Sequence, residues 1–267
     1  MLGDVKTTIN TLLPHLTQKT DDSFLNAAKD HYKAARQELD ALAVIKPGDK
    51  QIHPQAVARL LSEHASENAV FTCDVGTQTV WAARYLKLND KRRLVGSFNH
   101  GSMANAMLQA IGAQASHPGR QVISMSGDGG FAMMMGDCLS LKQLGLPVKI
   151  IVLNNGTLGF VEMEMKANGF LDTGVNLDNP DFAAMARAIG IHGVRVEDPS
   201  QLESAIQEVL NHPGPALLDV VSARQELAMP PTTTVEEATH FGLFMLKAVL
   251  DGRAREIIDL AKQNLRL

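Results

Sequence analysis

Hydrophobic residues in the middle of the chain form short continuous runs, and longer segments with apolar residues at helical spacing separate these runs. Strands that are buried on both faces of a parallel sheet read as continuous apolar runs. Such runs alternating with helices predict an open parallel sheet covered on both faces. We therefore predict an α/β fold, a doubly wound parallel sheet of about six strands with helical N- and C-terminal extensions. The predicted strands cover residues 69–73, 94–97, 121–126, 148–153, 192–196 and 216–221.

Apolar residues at helical spacing predict the helices that join these strands. These helices cover residues 54–66, 79–86, 103–115, 182–189 and 200–211, and a further helix-like segment joins 121–126 to 148–153. Before them, residues 4–16 predict a short strand and a helix, and residues 21–42 an amphipathic helix. After them, Met229-Pro-Pro231 breaks the chain, and residues 235–250 and 254–267 predict two helices, the last of them amphipathic.

The turn-rich segment Lys46-Pro-Gly-Asp-Lys50 marks a boundary near the beginning of the chain. The residues before it carry too little apolar surface to fold alone. We place a linker at 46–52, the main domain at 53–226 and a helical tail at 227–267. Residues 1–45 are either the tail of a preceding domain or a helical extension that packs on the main domain.

Composition narrows the classes of function. With 45% hydrophobic residues among 267, the chain can bury a large core, and its net charge of -4 gives no general attraction to nucleic acid. Cys73 and Cys138 lie far apart in apolar surroundings, which predicts reduced core thiols. The first residues do not resemble a signal peptide, and no apolar run reaches about 18 residues. We therefore expect a soluble cytoplasmic protein whose contact with a membrane is at most peripheral.

Two polar side chains follow successive strands of the predicted sheet. Asp128 lies in Gly127-Asp128-Gly129-Gly130 after the strand at 121–126, and Asn155 follows the strand at 148–153. If a right-handed crossover joins these strands, their carboxyl ends lie on one edge of the sheet, and Asp128 and Asn155 converge. Their oxygens, beside glycines that let backbone N–H groups approach phosphate, suit Mg²⁺ carrying a diphosphate. The glycine spacing fits neither G-x-x-x-x-G-K-[ST] nor G-x-G-x-x-G.

The segment from Gly127-Asp128-Gly129 to Asn154-Asn155 resembles the signature of thiamine diphosphate (ThDP) enzymes. Three further segments extend the resemblance: Cys73-Asp-Val-Gly-Thr77, Gly96-Ser-Phe-Asn-His-Gly-Ser-Met103 and Leu158-Gly-Phe-Val161. Together they are similar to the carboxyl-terminal half of a bacterial pyruvate oxidase of the quinone-reducing, membrane-associated kind. The resemblance runs over essentially the whole chain.

This resemblance implies a set of site residues. Mg²⁺ would be held by Asp128, Asn155 and the backbone carbonyl of Thr157. The Gly101 carbonyl would hold the aminopyrimidine of ThDP, and Met103 would bend the cofactor into a V shape. The residues that would contact ThDP share three glycine-bearing turns: Asp74, Gly76, Thr77, Gly101, Ser102, Met103, Gly127, Gly129 and Gly130.

The turn at 158–164 would overlie the reactive ring of the cofactor. Phe160 and Val75 are candidates for the walls of a pocket for a small 2-oxo acid, with Glu164 nearby. Unless they have a specific role, Glu162 and Glu164 are expected to lie on a solvated helix face. His100 is as readily a hydrogen-bonded loop residue as an acid or base.

The resemblance also implies an activity and partners. In that family pyruvate is decarboxylated to acetate and CO₂, and electrons pass through FAD to a membrane quinone. The implied protein is a homo-oligomer, a dimer or a tetramer, which lies at the inner face of the cell membrane. Its C-terminal tail would bind the lipid surface after substrate reduces the flavin. Residues 1–45 would be the tail of the central FAD-type domain, and no nucleic acid partner is expected.

Other functions remain open at this point. Acetolactate synthase and other 2-oxo acid decarboxylases share the motif pair, and a non-catalytic binding or assembly module could retain the ThDP fold. In the oxidase family, the glutamate that activates the cofactor lies in an amino-terminal domain of the neighbouring subunit. No segment here resembles that domain. We therefore expect the 267-residue chain to be inactive alone.

Overall fold

A computed structural model describes residues 3–224, 226 and 234–265. The chain divides into two compact units, Met1–Ala41 and Leu42–Leu267. In the first unit, helix α1 covers Val5–Leu12, a 3₁₀ turn covers Leu13–His15, and helix α2 begins at Ser23 and ends at Leu42. The Asp4 side chain caps α1 by accepting the Thr7 N–H at 2.8 Å. The prediction of a short strand within residues 4–16 is wrong, because a helix begins directly after the capping residue Asp4.

The second unit contains the predicted sheet, and all of its six strands are parallel. The strand order is β2-β1-β3-β4-β6-β5. The central strands β3 and β4 are almost wholly buried, as their continuous apolar runs predict, whereas the edge strand β2 is partly exposed. The fold class predicted from the sequence is confirmed. The strands are β1 Val70–Cys73, β2 Arg93–Gly96, β3 Val122–Gly127, β4 Lys149–Asn154, β5 His192–Val196 and β6 Ala216–Val221.

Helices join the strands close to the predicted positions. The two helices after β6 also have the predicted beginnings, although Met229-Pro-Pro231 and residues 266–267 lie outside the described residues. None of the helices among the described residues is long and apolar enough to cross a membrane. The helices are α3 Pro54–His64, α4 Thr77–Tyr85, α5 Ala106–Ser116, α6 Asp128–Met134, α7 Cys138–Leu144, α8 Gly159–Ala167, α9 Phe182–Ala188, α10 Leu202–Asn211, α11 Val235–Leu250 and α12 Ala254–Leu265.

Two local predictions need correction. Helix α5 was expected to begin at Met103 but begins at Ala106, because Ala104 has a positive φ of 68°, which a helix does not allow. The segment 158–164, predicted as a turn, forms the first part of helix α8. Met103 therefore lies in a loop, and Phe160 and Glu164 lie on a helix.

The core behind the site packs helices against the central strands. Phe131 of α6 meets Phe182 of α9 edge to face, with ring centroids 5.2 Å apart, and both rings are buried. Ile150 and Val152 of β4 belong to the same cluster. This packing fixes α6, and therefore the glycine turn from which α6 begins, against the sheet.

Both cysteines are buried and unpaired, as predicted. Burial raises the pKa of each thiol to about 12. The thiolate is the reactive form, and with this pKa only about 1 in 10,000 thiols is ionised at pH 8. We expect neither Cys73 nor Cys138 to be alkylated by iodoacetamide at pH 8 in the folded chain, and both to react in denaturant, as read by mass spectrometry. Rapid labelling of the folded chain would contradict this expectation.

Candidate functional site

The polar motifs meet at the point where the connections of the sheet reverse direction. From β1 the chain moves outward to β2, whereas from β3 it moves to β4 on the other side. In open parallel sheets, ligands bind in the crevice outside the carboxyl ends of strands at such a point. The turns at 74–77 and 127–130 follow β1 and β3 and therefore flank this crevice. The candidate site lies there and extends to the end of β4.

Asp128 connects the ends of β3 and β4. Its Oδ1 accepts the Gly129 N–H at 3.0 Å, and its Oδ2 accepts the Gly156 N–H at 2.7 Å. The residue is only 2% exposed. Burial raises the pKa of Asp128, while the hydrogen bonds from Gly156, Gly129 and Asn179 act to lower it. The predicted convergence of the two turns is therefore observed, with Asp128 at its centre.

Asn179 is a site residue that the sequence analysis missed. Its Nδ2 donates to Asp128 Oδ2 at 2.7 Å and to Asn154 Oδ1 at 3.0 Å. Asn179 lies in a loop before α9, about fifty residues from Asp128, and no motif marks it. A polar side chain next to Pro180 would have suggested only a turn.

A buried polar network continues from Asn179 into the sheet. Asn154 Nδ2 donates to Asp219 Oδ1 at 3.0 Å, and Arg195 donates to Asp219 Oδ2 at 2.6 Å. Asp219 also accepts the Phe182 N–H, which begins α9, at 3.2 Å. These bonds join β4, β5, β6 and α9 behind the site. They hold the amide of Asn179 on the Asp128 carboxylate.

Asn155 and Thr157 share one tight turn after β4. Asn155 Oδ1 accepts the Thr157 N–H at 3.2 Å, and Gly156 between them has a φ of 70°, which favours glycine. Residues 175–177 brace the turn: the Leu158 N–H donates to the Val175 carbonyl, and the Leu177 N–H donates to the Gly156 carbonyl, both at 3.0 Å.

Protein side chains approach the glycine turns around the crevice closely. A Cβ at Gly76 would come within 2.7 Å of the Gln78 carboxamide, and a Cβ at Gly127 within 3.2 Å of it. A Cβ at Gly129 would come within 2.8 Å of Leu158 and 3.5 Å of Met103. The buried Gln78 carboxamide therefore lies between the turns that follow β1 and β3. The sequence analysis did not single out Gln78.

Asp74 is completely buried and forms its hydrogen bond within the protein. Its Oδ1 accepts the Ala106 N–H at 2.7 Å, which caps helix α5, and its Oδ2 has no hydrogen-bond partner among the described residues. Burial raises the pKa of Asp74. The Val75 N–H donates to the Ser102 carbonyl at 3.2 Å, and Gly101 has a φ of 72°. This hydrogen bond joins the turns at 74–77 and 101–103. Direct contact of their residues with a cofactor stays a prediction.

The pocket candidates lie at the surface side of the site. Val75 and Phe160 are partly exposed, and Glu164 is exposed. Thr77 lies near α8, with its methyl group 3.2 Å from the position of a Cβ on Gly159. A cavity of about 30 Å³ is lined by residues that include Thr77, Trp81, Asn155, Gly159, Glu162 and Arg224. None of the three pocket candidates lines that cavity, so their role also stays a prediction.

The default placement of Glu162 on a solvated helix face is wrong. Glu162 is 4% exposed, and its carboxylate receives hydrogen bonds from Thr157 and Lys166, each at 2.6 Å. Burial acts to raise its pKa, but these hydrogen bonds and the charges of Lys166 and Arg224 hold the pKa of Glu162 below its usual value. The single sequence could not show this, because Glu162 and Glu164 lie on one short helix and its pattern does not indicate which of them is buried.

The donor set fits the predicted Mg²⁺-diphosphate. Mg²⁺ prefers hard oxygen ligands, takes few of them from protein and shares phosphate oxygens. The Asp128 carboxylate, the Asn155 carboxamide and the Thr157 carbonyl belong to two turns that are joined by one hydrogen bond of 2.7 Å. No sulfur or imidazole ligand belongs to this set of three. The arrangement suits a hard divalent cation rather than a softer metal.

Comparison with known proteins gives a family match in the same region. The model of the C-terminal TPP binding domain of thiamine pyrophosphate enzymes matches residues 74–220. YdaP of Bacillus subtilis, named for containing thiamine pyrophosphate, is 34% identical over 97% of this chain and 45% of its own length. Acetolactate synthase 2 of Zea mays is 32% identical over 85% of this chain and 37% of its own length. The chain thus spans less than half of these relatives.

A solved structure shows the same fold. The ThDP-dependent 4-hydroxybenzoylformate decarboxylase of Rhodococcus jostii RHA1 superposes with a TM-score of 0.62 over 67% of this chain and 34% of that protein. The two sequences are 24% identical in this region, so the likeness concerns the fold alone.

Proposed function

Because the chain belongs to the thiamine pyrophosphate enzyme family, we propose that the crevice beside β1, β3 and β4 binds the diphosphate of ThDP through Mg²⁺. The observation that carries this proposal is the hydrogen bond of 2.7 Å between Asp128 and the Gly156 N–H. It brings a carboxylate to the turn that presents Asn155 and Thr157. These three residues would hold the metal through oxygen atoms.

The protein residues would bind and orient the cofactor. The Asp128 carboxylate compensates the metal charge at a site where bulk water is largely excluded, which strengthens the attraction. Asn179 holds this carboxylate at one angle by donating to Oδ2 at 2.7 Å. The Gln78 carboxamide lies between the two glycine turns, where its N–H groups could donate to phosphate oxygens. ThDP, when bound, supplies an electron sink for the loss of CO₂ from a 2-oxo acid.

For the complete activity, we propose decarboxylation of a 2-oxo acid, with pyruvate as the substrate to test first. Acetolactate formation is the finer function to test first, since the relative from Zea mays described above is an acetolactate synthase. Pyruvate oxidation through FAD to a quinone is the second candidate, and the segments at 73–77, 96–103 and 158–161 support it by their similarity to that family. Under either candidate, Phe160 and Val75 would form walls around the substrate.

The product formed from pyruvate separates the two candidates. Acetolactate in the presence of ThDP and Mg²⁺ supports the first, and acetate with reduction of an electron acceptor supports the second. The assay is done on the longest natural polypeptide that contains this chain, with the 267-residue chain in parallel. If the longer polypeptide formed neither acetolactate nor acetate from pyruvate, decarboxylation of pyruvate would be contradicted.

Binding of the diphosphate end is tested with the single tryptophan of the chain. Trp81 lines the cavity beside Thr77 and Asn155, so its fluorescence should change when ThDP binds with Mg²⁺. We expect inorganic diphosphate with Mg²⁺ to compete with ThDP, and thiamine without phosphates not to compete. Competition by thiamine, or none by diphosphate, would contradict the proposed orientation.

Asn179→Ala should weaken Mg²⁺-dependent ThDP binding by about 10- to 100-fold, because residues that orient a metal ligand typically contribute this much. The substitution leaves Asp128 Oδ2 with the Gly156 N–H but removes the amide that fixes its angle. Calorimetric titration measures the effect, and Asn26→Ala on the exposed face of α2 is the control. Equal affinities of the two variants would show that Asn179 has no positioning role.

A further inference from the structure

Six charged side chains form a closed ring of alternating sign beside the turn that carries Asn155 and Thr157. Three are acidic and three basic, so the ring is electrically balanced. It joins helix α8, the loop after it, the segment that follows β6 and the beginning of the C-terminal helix α12 with the residue before it. In order around the ring, the residues are Glu162, Lys166, Glu256, Arg253, Asp172 and Arg224.

Adjacent members of the ring are in direct contact. Lys166 Nζ lies 2.6 Å from Glu162 and 2.9 Å from Glu256. Arg253 contacts Glu256 at 2.5 Å and also pairs with Asp172. Arg224 closes the ring, at 3.2 Å from Glu162 and 3.9 Å from Asp172. Opposite charges alternate throughout, so the ring is an ion-pair network and not a set of free metal ligands.

The ring is buried on the side of Glu162 and Lys166, whereas the side chains of Arg253 and Arg224 are 29% and 35% exposed. The side chain of Lys166 is 2% exposed and that of Glu162 is 5% exposed. Removing one partner from a buried ion pair leaves an uncompensated charge, which is far more costly than the loss of an exposed pair. The positions of the ring members are therefore coupled, because ion pairs with residues of other elements compensate their charges.

One member of the ring contacts the candidate metal turn. The Thr157 hydroxyl donates to Glu162 Oε2 at 2.6 Å and also lies 3.2 Å from the Val175 carbonyl. Glu162 thus holds the side chain of the residue whose backbone carbonyl would face the metal. A shift of Glu162 would be transmitted to Thr157 through this hydrogen bond.

The opposite side of the ring belongs to the C-terminal helices. Arg253 immediately precedes α12 and Glu256 lies in its first turn. The Lys166 ammonium lies 5.4 Å from the centroid of the buried Phe244 ring in α11. Lys247 of α11 donates to the Gly169 carbonyl at 2.8 Å, just after α8. Docking of α12 therefore supplies two of the five other charges in the ring that contains Glu162.

We propose that Glu162 is a positioning residue for the metal turn and that the charge ring makes its position depend on the docking of α12. This inference rests on the proposed binding of ThDP and Mg²⁺ at Asp128, Asn155 and Thr157. Coupling between two sites is reciprocal. Binding of Mg²⁺ and ThDP stabilises docked α12, and docked α12 raises the affinity for Mg²⁺ and ThDP by the same factor.

The first test neutralises a ring charge on α12. Glu256→Gln and Arg253→Gln remove charges of opposite sign, and each should lower the Mg²⁺-dependent ThDP affinity of the 267-residue chain by about 10-fold in calorimetry. Asp259→Asn and Arg255→Gln are the matched controls, because they change the same helix by the same charges outside the ring. Equal affinities for ring and control variants that remain folded by circular dichroism would overturn the proposal.

The second test measures the coupling itself. Hydrogen exchange of α12 should slow by about 10-fold when Mg²⁺ and ThDP saturate the unaltered chain, and should change less in Glu256→Gln. Thr157→Val keeps the backbone carbonyl but removes the hydroxyl, so combining it with Glu256→Gln should give a smaller loss of affinity than the sum of the separate free-energy changes. Additive losses, or no protection of α12, would contradict coupling through Thr157.

The two proposals fail in different ways. Absence of ThDP binding by the unaltered chain with Mg²⁺ would contradict the proposed cofactor site. Normal ThDP binding by the unaltered chain, with the same affinity in the ring variants, would leave the cofactor site intact and contradict the coupling alone.

Discussion

Asp128→Asn is expected to lower Mg²⁺-dependent ThDP affinity by about 100-fold, or ~2.7 kcal/mol. The carboxamide has nearly the same size as the carboxylate, but it has no negative charge to bind the cation. One of its two positions would also be an NH₂ group facing the N–H of Gly156 or of Gly129, both of which now donate to Asp128. The substitution thus removes the negative charge of the metal ligand and weakens the connection between the turns after β3 and β4.

Calorimetric titration at saturating Mg²⁺ measures this effect. Asp90→Asn, an exposed carboxylate outside the site, is the matched control and should bind ThDP as the unaltered chain does. A second titration with Mg²⁺ omitted should give the same weak binding for all three proteins. If Asp128→Asn retained the affinity of the control, Asp128 would not be a metal ligand.

Gly130→Ala is expected to destabilise the chain by about 1–3 kcal/mol, although alanine is normally favoured over glycine within a helix. Gly130 lies in α6, and a Cβ there would come within 2.5 Å of Asp74 Oδ2 and 3.2 Å of the Ala104 backbone nitrogen. The Asp74 carboxylate is completely buried and holds the Ala106 N–H, so it cannot move away freely. The steric cost therefore exceeds the gain in helix propensity.

Denaturant unfolding compares this variant with Gly136→Ala. Gly136 lies in the 3₁₀ turn that follows α6, and no atom lies within 4 Å of the position of its Cβ. Alanine should leave the free energy of unfolding unchanged or raise it slightly at Gly136, and lower it at Gly130. Equal effects at the two positions would show that Asp74 does not constrain the glycine turn.

The sheet could be predicted because its sequence signal is local. Strands β3 and β4 are continuous apolar runs, and polar turn residues follow each of them directly. Once these strands are parallel neighbours, Asp128 and Asn155 must lie at the same edge. That convergence follows from topology alone, without any knowledge of side-chain contacts.

The parts that sequence reasoning missed depend on contacts between distant residues. Asn179 and Asp128 are joined only by tertiary structure, and Asn179 carries no recognisable spacing. The beginning of α5 depends on Asp74, which directly follows β1 and accepts the N–H of Ala106, the first residue of α5. Glu162 is buried because Lys166, Arg224 and α12 together compensate its charge. Helical periodicity cannot reveal such compensation, because it describes one element at a time.

The chain spans less than half the length of the relatives named above. It covers 45% of the length of YdaP and 37% of that of the maize acetolactate synthase. The residues described above are proposed to hold the diphosphate end of the cofactor, and they all lie in this chain. The substrate and the membrane or quinone partners are therefore tested on longer polypeptides, whereas diphosphate binding is tested on this chain.

The most direct measurement of the central claim is a calorimetric titration of the 267-residue chain with ThDP, once in Mg²⁺ and once in excess chelator. We expect saturable binding at one site per chain in Mg²⁺ and loss of that binding in chelator, because the diphosphate would be held through the metal. Binding of equal strength without a divalent cation, or absence of binding with it, would contradict a Mg²⁺-diphosphate site at Asp128, Asn155 and Thr157.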